Sequence, residues 1–117
     1  MTTQLGKELK KLRIDLGINL MEMSKLVGIS SAFLSAIETG RKRVPDNFLS
    51  ILASKFPAVA SNRTKFETLI NQARNEVRVS LDNASFEDAE LATALARRFG
   101  NLSQEEKMQI SNILGDK

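Results

Sequence analysis

The sequence of 117 residues predicts an all-α fold, with a helical N-terminal domain followed by a smaller helical region. Three observations support this prediction. Leucines recur at helical spacing, as at Leu5, Leu9, Leu12 and Leu16. Glycines follow several apolar segments, where a left-handed residue commonly ends a helix. Ser or Asn precedes several of the predicted helices, where its side chain can cap the first backbone N–H groups.

The composition fits an ordinary soluble protein, with 42% hydrophobic and 26% charged residues. Cysteine and histidine are absent from the sequence, so disulfides and the usual zinc and general-base arrangements cannot be built. No apolar run reaches the ~20 residues of a membrane span, and the first residues lack the apolar core of a signal peptide. We therefore expect a cytoplasmic protein that has no cofactor, no metal site, no membrane partner and no enzymatic activity.

Five helices are predicted in the first 76 residues. They cover residues 3–16, 20–27, 31–39, 45–55 and 62–76. Gly28 separates the second helix from the third and permits the positive φ that a tight turn requires. Two short helices joined by such a turn form a helix-turn-helix unit, whose second helix enters the major groove of DNA. The pattern therefore indicates DNA binding.

The distribution of charge is consistent with a polyanionic partner. Residues 1–56 contain nine Lys/Arg and five Asp/Glu, a net charge of +4, whereas residues 57–117 contain eight and nine, a net charge of −1. The positive charge therefore lies in the half that carries the helix-turn-helix pattern.

The C-terminal half contains a short alternating segment and two further helices. Val77, Val79 and Leu81 alternate with polar residues, which predicts either a short β-strand at 77–81 or an extended linker. Such a strand would need a partner, and the same segment of a second subunit is the simplest one. The helices, at 86–99 and 104–114, are too short to be stable alone. We expect residues 1–60 to bind DNA and residues 61–117 to form a helical dimerisation region.

The segment from Lys11 to Pro45 resembles the helix-turn-helix domains of phage repressors and Cro proteins, the XRE family. The resemblance covers about residues 5–56 and rests on LRIDLGIN, on the turn Gly28-Ile29-Ser30 and on SAIETGRKRVP. It implies a lambda-repressor-like helical fold and a DNA-binding transcriptional regulator.

The resemblance also implies roles for individual residues. Arg13 and Glu38 match a family ion pair that holds the first and third helices and places Arg13 near a phosphate. Asn19 matches a helix cap close to the DNA backbone, and the basic segment after the third helix matches a loop that reaches phosphates. The predicted DNA-binding residues are Arg13, Asn19, Ser30, Ser31, Ala32, Ser35, Ala36, Arg41, Lys42 and Arg43.

Two departures from the family pattern weaken base recognition. Leu20 occupies a position where the family usually has Gln, so one contact to the DNA backbone is lost or moved. The third helix has no Arg, Gln, Asn or Lys between Ser31 and Ile37, so it lacks the side chains that read guanine and adenine bidentately. We expect specificity to depend on phosphate register, DNA shape and paired half-sites.

Three functions remain open from the sequence. The first is a dimeric repressor of prophage or plasmid type that binds a palindromic operator in double-stranded DNA. The second is an antitoxin that regulates its own promoter and covers a toxin protein. The third is a degenerate helix-turn-helix domain that has become a protein adaptor.

Overall fold

A computed structural model describes residues 2–115, in which every regular element is helical. The helices are α1 (Gln4–Leu16), α2 (Leu20–Val27), α3 (Ser31–Glu38), α4 (Phe48–Lys55), α5 (Pro57–Ser61), α6 (Arg63–Arg74), α7 (Phe86–Arg98) and α8 (Gln104–Leu114), with a 3₁₀ turn at Phe99–Asn101. The predicted all-α fold is confirmed. The chain divides into two compact units, the first ending at Val77 and the second beginning at Arg78.

The first unit has one hydrophobic core, to which α1–α6 all contribute. Its buried apolar side chains are Leu5, Leu9, Leu12, Met23, Val27, Leu34, Ile37, Val44, Phe48, Leu52, Phe56, Val59, Phe66 and Ile70. Leu9, Met23, Leu34 and Ile37 are fully buried, so α1, α2 and α3 are fixed by the same core.

Helix α6 is part of this first unit, although we expected the domain boundary near residue 60. Phe66 and Ile70 are buried, and α6 packs against α1 and α4. On the surface, Lys65 lies 3.0 Å from Glu8 of α1, which also pairs with Lys11 at 3.2 Å. Hydrogen bonds from these two lysines lower the pKa of Glu8. The N-terminal unit is therefore longer than the sequence pattern indicated.

The structure excludes the strand alternative at 77–81, leaves the linker alternative, and corrects several helix limits. Residues 77–81 form no strand, and Val77, Val79 and Leu81 are exposed. A strand requires a neighbouring strand to which it can hydrogen-bond, and residues 2–115 contain no strand that could serve. Helix α4 begins at Phe48 rather than at Pro45, and the additional short helix α5 precedes α6.

No single helix within residues 2–115 is long and apolar enough to cross a membrane. Helices α2 and α3 meet the length and composition limits only when taken together, and the chain bends by 101° between them.

The second unit contains α7, the 3₁₀ turn and α8, and none of their residues is buried. Ser103 and Glu106 form the predicted capping box at the start of α8. The backbone N–H of Ser103 and the Arg98 guanidinium donate to the Glu106 carboxylate and lower its pKa. Local hydrogen bonds therefore define these helices without any buried core.

Gly6 allows the first turn of α1 to pack directly on the end of α3. A Cβ at this position would clash with the backbone oxygen of Glu38 and lie 3.0 Å from the Glu38 Cβ. The same oxygen accepts hydrogen bonds from the backbone N–H of Thr3 at 2.9 Å and from its hydroxyl at 3.1 Å. This close contact fixes the end of α3.

We predict that Gly6→Ala destabilises the protein. Overpacking against fixed backbone costs about 1–3 kcal/mol, and a clash with a main-chain oxygen belongs in the upper part of that range. The loss should exceed the ~1 kcal/mol by which Ala favours a helix over Gly. Urea denaturation measures the difference. Gly100→Ala is the control, because a Cβ there meets nothing within 4 Å. Equal stability of Gly6→Ala and the native protein would contradict the prediction.

Candidate nucleic-acid interface

Helices α2 and α3 form a helix-turn-helix unit whose ends are defined by local hydrogen bonds. Asn19 Oδ1 accepts from the Glu22 N–H at 2.8 Å, and the Glu22 carboxylate accepts from the Asn19 N–H at 2.9 Å. Gly28 ends α2 with φ 88°, in the left-handed region. Ser30 Oγ then accepts from the Phe33 N–H at 3.0 Å and begins α3. The 101° bend lies within the range of this motif.

A buried ion pair holds α3 against α1. Arg13 Nη1 lies 2.5 Å from Glu38 Oε2, and Arg13 Nη2 lies 3.0 Å from Glu38 Oε1. Both side chains are about 10% exposed. Arg13 Nη1 also lies 3.4 Å from the sulfur of Met23 in α2. The predicted pair is confirmed, and it links all three helices that position the motif.

The outer surface of this motif carries most of the predicted DNA-binding residues. Ala32 is exposed, and Ser31 and Ser35 are partly exposed, so these small α3 side chains share an accessible helix surface. The other exposed members are Asn19, Ser30, Arg41, Lys42 and Arg43. They lie at the start of α2, at the turn and in the segment that follows α3. The structure therefore presents small side chains on a helix flanked by a basic segment.

Two predicted residues lie inside the unit instead. Ala36 is 9% exposed, and its carbonyl accepts from the backbone N–H groups of Arg41 and Lys42. Arg13 is 8% exposed, and its guanidinium is occupied by Glu38. Each side chain therefore offers little accessible surface for a thymine methyl or a phosphate. Both side chains contribute to packing in the first unit, and their contacts with DNA stay predictions.

Helix α6 anchors the end of the basic loop, which we define as residues 41–46. The Nε of Arg74 donates to the Val44 carbonyl at 3.1 Å, and its Nη2 donates to the Pro45 carbonyl at 2.5 Å. The same Nη2 lies 3.5 Å from Asp46 Oδ1. Because the Arg74 side chain is only 12% exposed, these bonds form in a partly desolvated environment. One side chain thus fixes three consecutive residues of the loop.

Arg43 forms an ion pair with Glu76, which follows α6. Both side chains are about half exposed, so solvent screens the pair and its contribution to stability is small. The pair places a carboxylate beside a cation that was predicted to contact phosphate. A phosphate that binds Arg43 would therefore compete with Glu76.

The sequence did not reveal the roles of Arg74 and Glu76. Arg74 lies in the last turn of a helix, where a cation is explained by the helix dipole alone. Its bonds reach 29 and 30 residues back along the chain, and no local pattern indicates such contacts. The only sequence signal was the basic end of α6 next to an acidic residue.

A family model described as a helix-turn-helix domain matches residues 6–81, more than half of the chain. The chain belongs to this helix-turn-helix family. The match confirms the family predicted from residues 5–56 and also includes α6, which anchors the basic loop. No curated protein and no solved structure gave a significant match.

The helix-turn-helix domain indicates a DNA-binding regulator, and domains of this kind are typically not enzymes. Within residues 2–115, no group of three or more Asp or Glu side chains is arranged to hold a metal ion. Leu20, which replaces the usual Gln of the family, is partly buried and packs against the core with Ile18 and Ile29. In this helix-turn-helix protein, position 20 therefore contributes to packing.

We predict that Glu38→Gln strongly destabilises the protein. It leaves the Arg13 guanidinium buried without a counter-charge, and removing one partner of a buried pair costs about 3–5 kcal/mol. Urea denaturation of the variant and of the double variant Arg13→Met/Glu38→Leu gives the comparison. The double variant should recover most of the loss, since apolar replacement of a whole buried pair is often neutral. A loss below ~1 kcal/mol for Glu38→Gln would mean that solvent screens the pair.

Proposed function

We propose that the protein is a dimeric transcriptional regulator, a repressor of the prophage or plasmid type, that binds a palindromic operator. The observation that carries this proposal is the exposed surface of α3 followed directly by the anchored basic loop. Ser31, Ala32 and Ser35 would face the bases, while Arg41 and Lys42 would contact the phosphates. The resemblance to phage repressors and Cro proteins points to the same function.

Rigid placement of the basic loop supports this role. Phosphate contacts set the register of a protein on the duplex, so their donors need fixed positions. The loop is tied to α3 through the Ala36 carbonyl at one end and to α6 through Arg74 at the other. Arg41 Nε also donates to the Thr39 hydroxyl at 3.1 Å. The loop can therefore present its cations with little loss of conformational freedom.

The chemistry of α3 favours recognition through DNA shape and symmetry. Ser31 and Ser35 each offer a hydroxyl that can bond to several bases, and Ala32 can contact a thymine methyl. With Ala36 buried, fewer direct contacts to bases remain than the sequence indicated. A single α3 would therefore discriminate weakly, whereas two copies at a fixed spacing would double the contacts and add a requirement for symmetry.

An antitoxin is the second candidate. It shares the DNA-binding role, and the exposed apolar side chains of α7 and α8 favour a protein partner for the second unit. Co-purification with the product of a neighbouring short gene would support this candidate.

We predict that DNA selected for binding contains two half-sites related by symmetry. Their centres should lie about one helical turn apart, ~34–36 Å, because each subunit places one α3 in the major groove. Selection from a random duplex library, followed by footprinting, provides the measurement. A single protected half-site would contradict the dimeric mode, and the absence of any selected or protected sequence would favour the adaptor function.

We also predict that Arg41→Ala/Arg43→Ala weakens binding to all DNA sequences by a similar factor. The slope of log Kobs against log salt should fall by about one for each phosphate contact removed. Titrations at several salt concentrations measure the slope. Arg63→Ala removes one positive charge, half the change in the double variant, at the opposite end of α6 from Arg74, about 16 Å along the helix, and serves as the control for each single charge removed. An unchanged slope in the double variant would place the loop away from the DNA backbone.

A further inference from the structure

The second unit exposes an unusual amount of apolar surface. In α7, Phe86 is 78% exposed and Leu91 is 71% exposed, and in α8 Ile113 is 83% exposed. Helices of 13 and 11 residues without a buried core are too short to be stable in water by themselves. A binding partner that covers these side chains would supply the missing hydrophobic stabilisation.

One face of α7 forms a shallow depression whose lining residues all belong to this helix. It is lined by Phe86, Glu87, Ala89, Glu90, Leu91, Thr93, Ala94 and Arg97. A second helix laid along this face would contact both apolar side chains, such as Leu91 and Ala94, and charged ones, such as Glu87 and Arg97. Because all its lining residues belong to α7, the surface runs along this helix and suits a second helix.

The charges on this face are arranged in order along the helix. Glu87 and Glu90 lie in its first half, and Arg97 lies in its last turn. Within residues 2–115, none of these three side chains has a hydrogen bond or ion pair to another residue. Arg98, by contrast, is already paired with Glu106 at 3.2 Å. The face therefore has one acidic end and one basic end, with free charges at both.

We infer that this face binds α7 of a second copy of the chain in antiparallel orientation, an inference that rests on the dimeric mode proposed above. A two-fold axis at the middle of α7 places Glu87 of each copy level with Arg97 of the other. Leu91 and Ala94 then lie near the axis, where the two helices are closest. The contact is isologous, so each favourable pair occurs twice.

The antiparallel orientation follows from the order of the charges. Glu87 and Arg97 are ten residues apart, about 15 Å along the helix. A parallel pair would set Glu87 against Glu87 and Arg97 against Arg97, and like charges at an interface are unfavourable. An antiparallel pair converts both repulsions into attractions and also opposes the two helix dipoles.

The size of the contact requires α8 as well. Helix α7 is about 20 Å long, so one face of it covers less than the ~800 Å² per partner of a standard interface. Met108, Ile113 and Leu114 of α8 are exposed and add apolar surface to the same unit. In the proposed dimer, α7 forms the centre of the interface and the exposed side chains of α8 offer further apolar area.

A charge-reversal experiment on the full chain tests this interface. In Glu87→Lys, a lysine opposes Arg97 at two symmetric positions, and the dimer Kd should rise about tenfold or more. Arg97→Glu should have a similar effect. The double variant Glu87→Lys/Arg97→Glu restores opposite charges and should return the Kd to within about threefold of the native value. Sedimentation equilibrium without DNA measures each Kd.

Asp88→Lys is the matched control. It makes the same charge change in the same first turn of α7, where acidic residues favour the helix dipole, but Asp88 does not line the depression. Circular dichroism checks that helix content is retained. The interface is wrong if the full chain is monomeric at high micromolar concentration or if Glu87→Lys weakens the dimer no more than Asp88→Lys. It is also wrong if the double variant fails to recover.

The same measurements separate this inference from the proposed function. A dimer that responds to the charge reversals but protects no DNA would support the α7 interface and overturn the operator-binding function. A protected palindrome, together with a dimer whose Kd does not change in Glu87→Lys, would support operator binding and overturn the α7 interface.

Discussion

The buried ion pair between Arg13 and Glu38 connects α1 to the last turn of α3. The same turn is held by hydrogen bonds from Thr3 to the Glu38 carbonyl and by the close approach of Gly6. The position of α3 therefore depends on Glu38, through its ion pair with Arg13 and through the packing around its backbone. Since the basic loop starts immediately after this turn, any shift of Glu38 would move the loop as well. A buried charge pair suits this purpose because its geometry is specific even when its net contribution to stability is small.

The basic loop is a positively charged surface segment whose position depends on packing in the core of the first unit. Arg74 holds the loop backbone, and its own position is set by α6, which is anchored in the core through Phe66 and Ile70. Glu76 pairs with Arg43 near the end of the same helix. The unit therefore contains both the element that orders the loop and a carboxylate that pairs with one of its cations.

The second unit differs from the first because it has no hydrophobic core of its own. It is defined by local caps, such as the Ser103–Glu106 capping box, and it has no buried residue in its helices. In the proposed dimer, association would supply the stability that this unit lacks, and its folding would then depend on concentration. In the proposed dimer, this dependence would also affect DNA binding. The same association that stabilises α7 and α8 would bring two DNA-binding units together, so the occupancy of a palindromic site would rise steeply with protein concentration.

The sequence by itself determined most of the helices and the motif, although it missed α5 and the start of α4. Capping residues and apolar spacing act over three or four positions, so α2 and α8 were predicted with their observed limits. The pairing of Arg13 with Glu38 followed from the family resemblance. Only the tertiary structure decided that Ala36 is buried, that α6 belongs to the first unit and that Arg74 holds the loop. The reason is distance along the chain: Arg74 bonds to residues 29 and 30 positions away. Such contacts arise from how the helices pack in the core, which no local pattern of residues encodes.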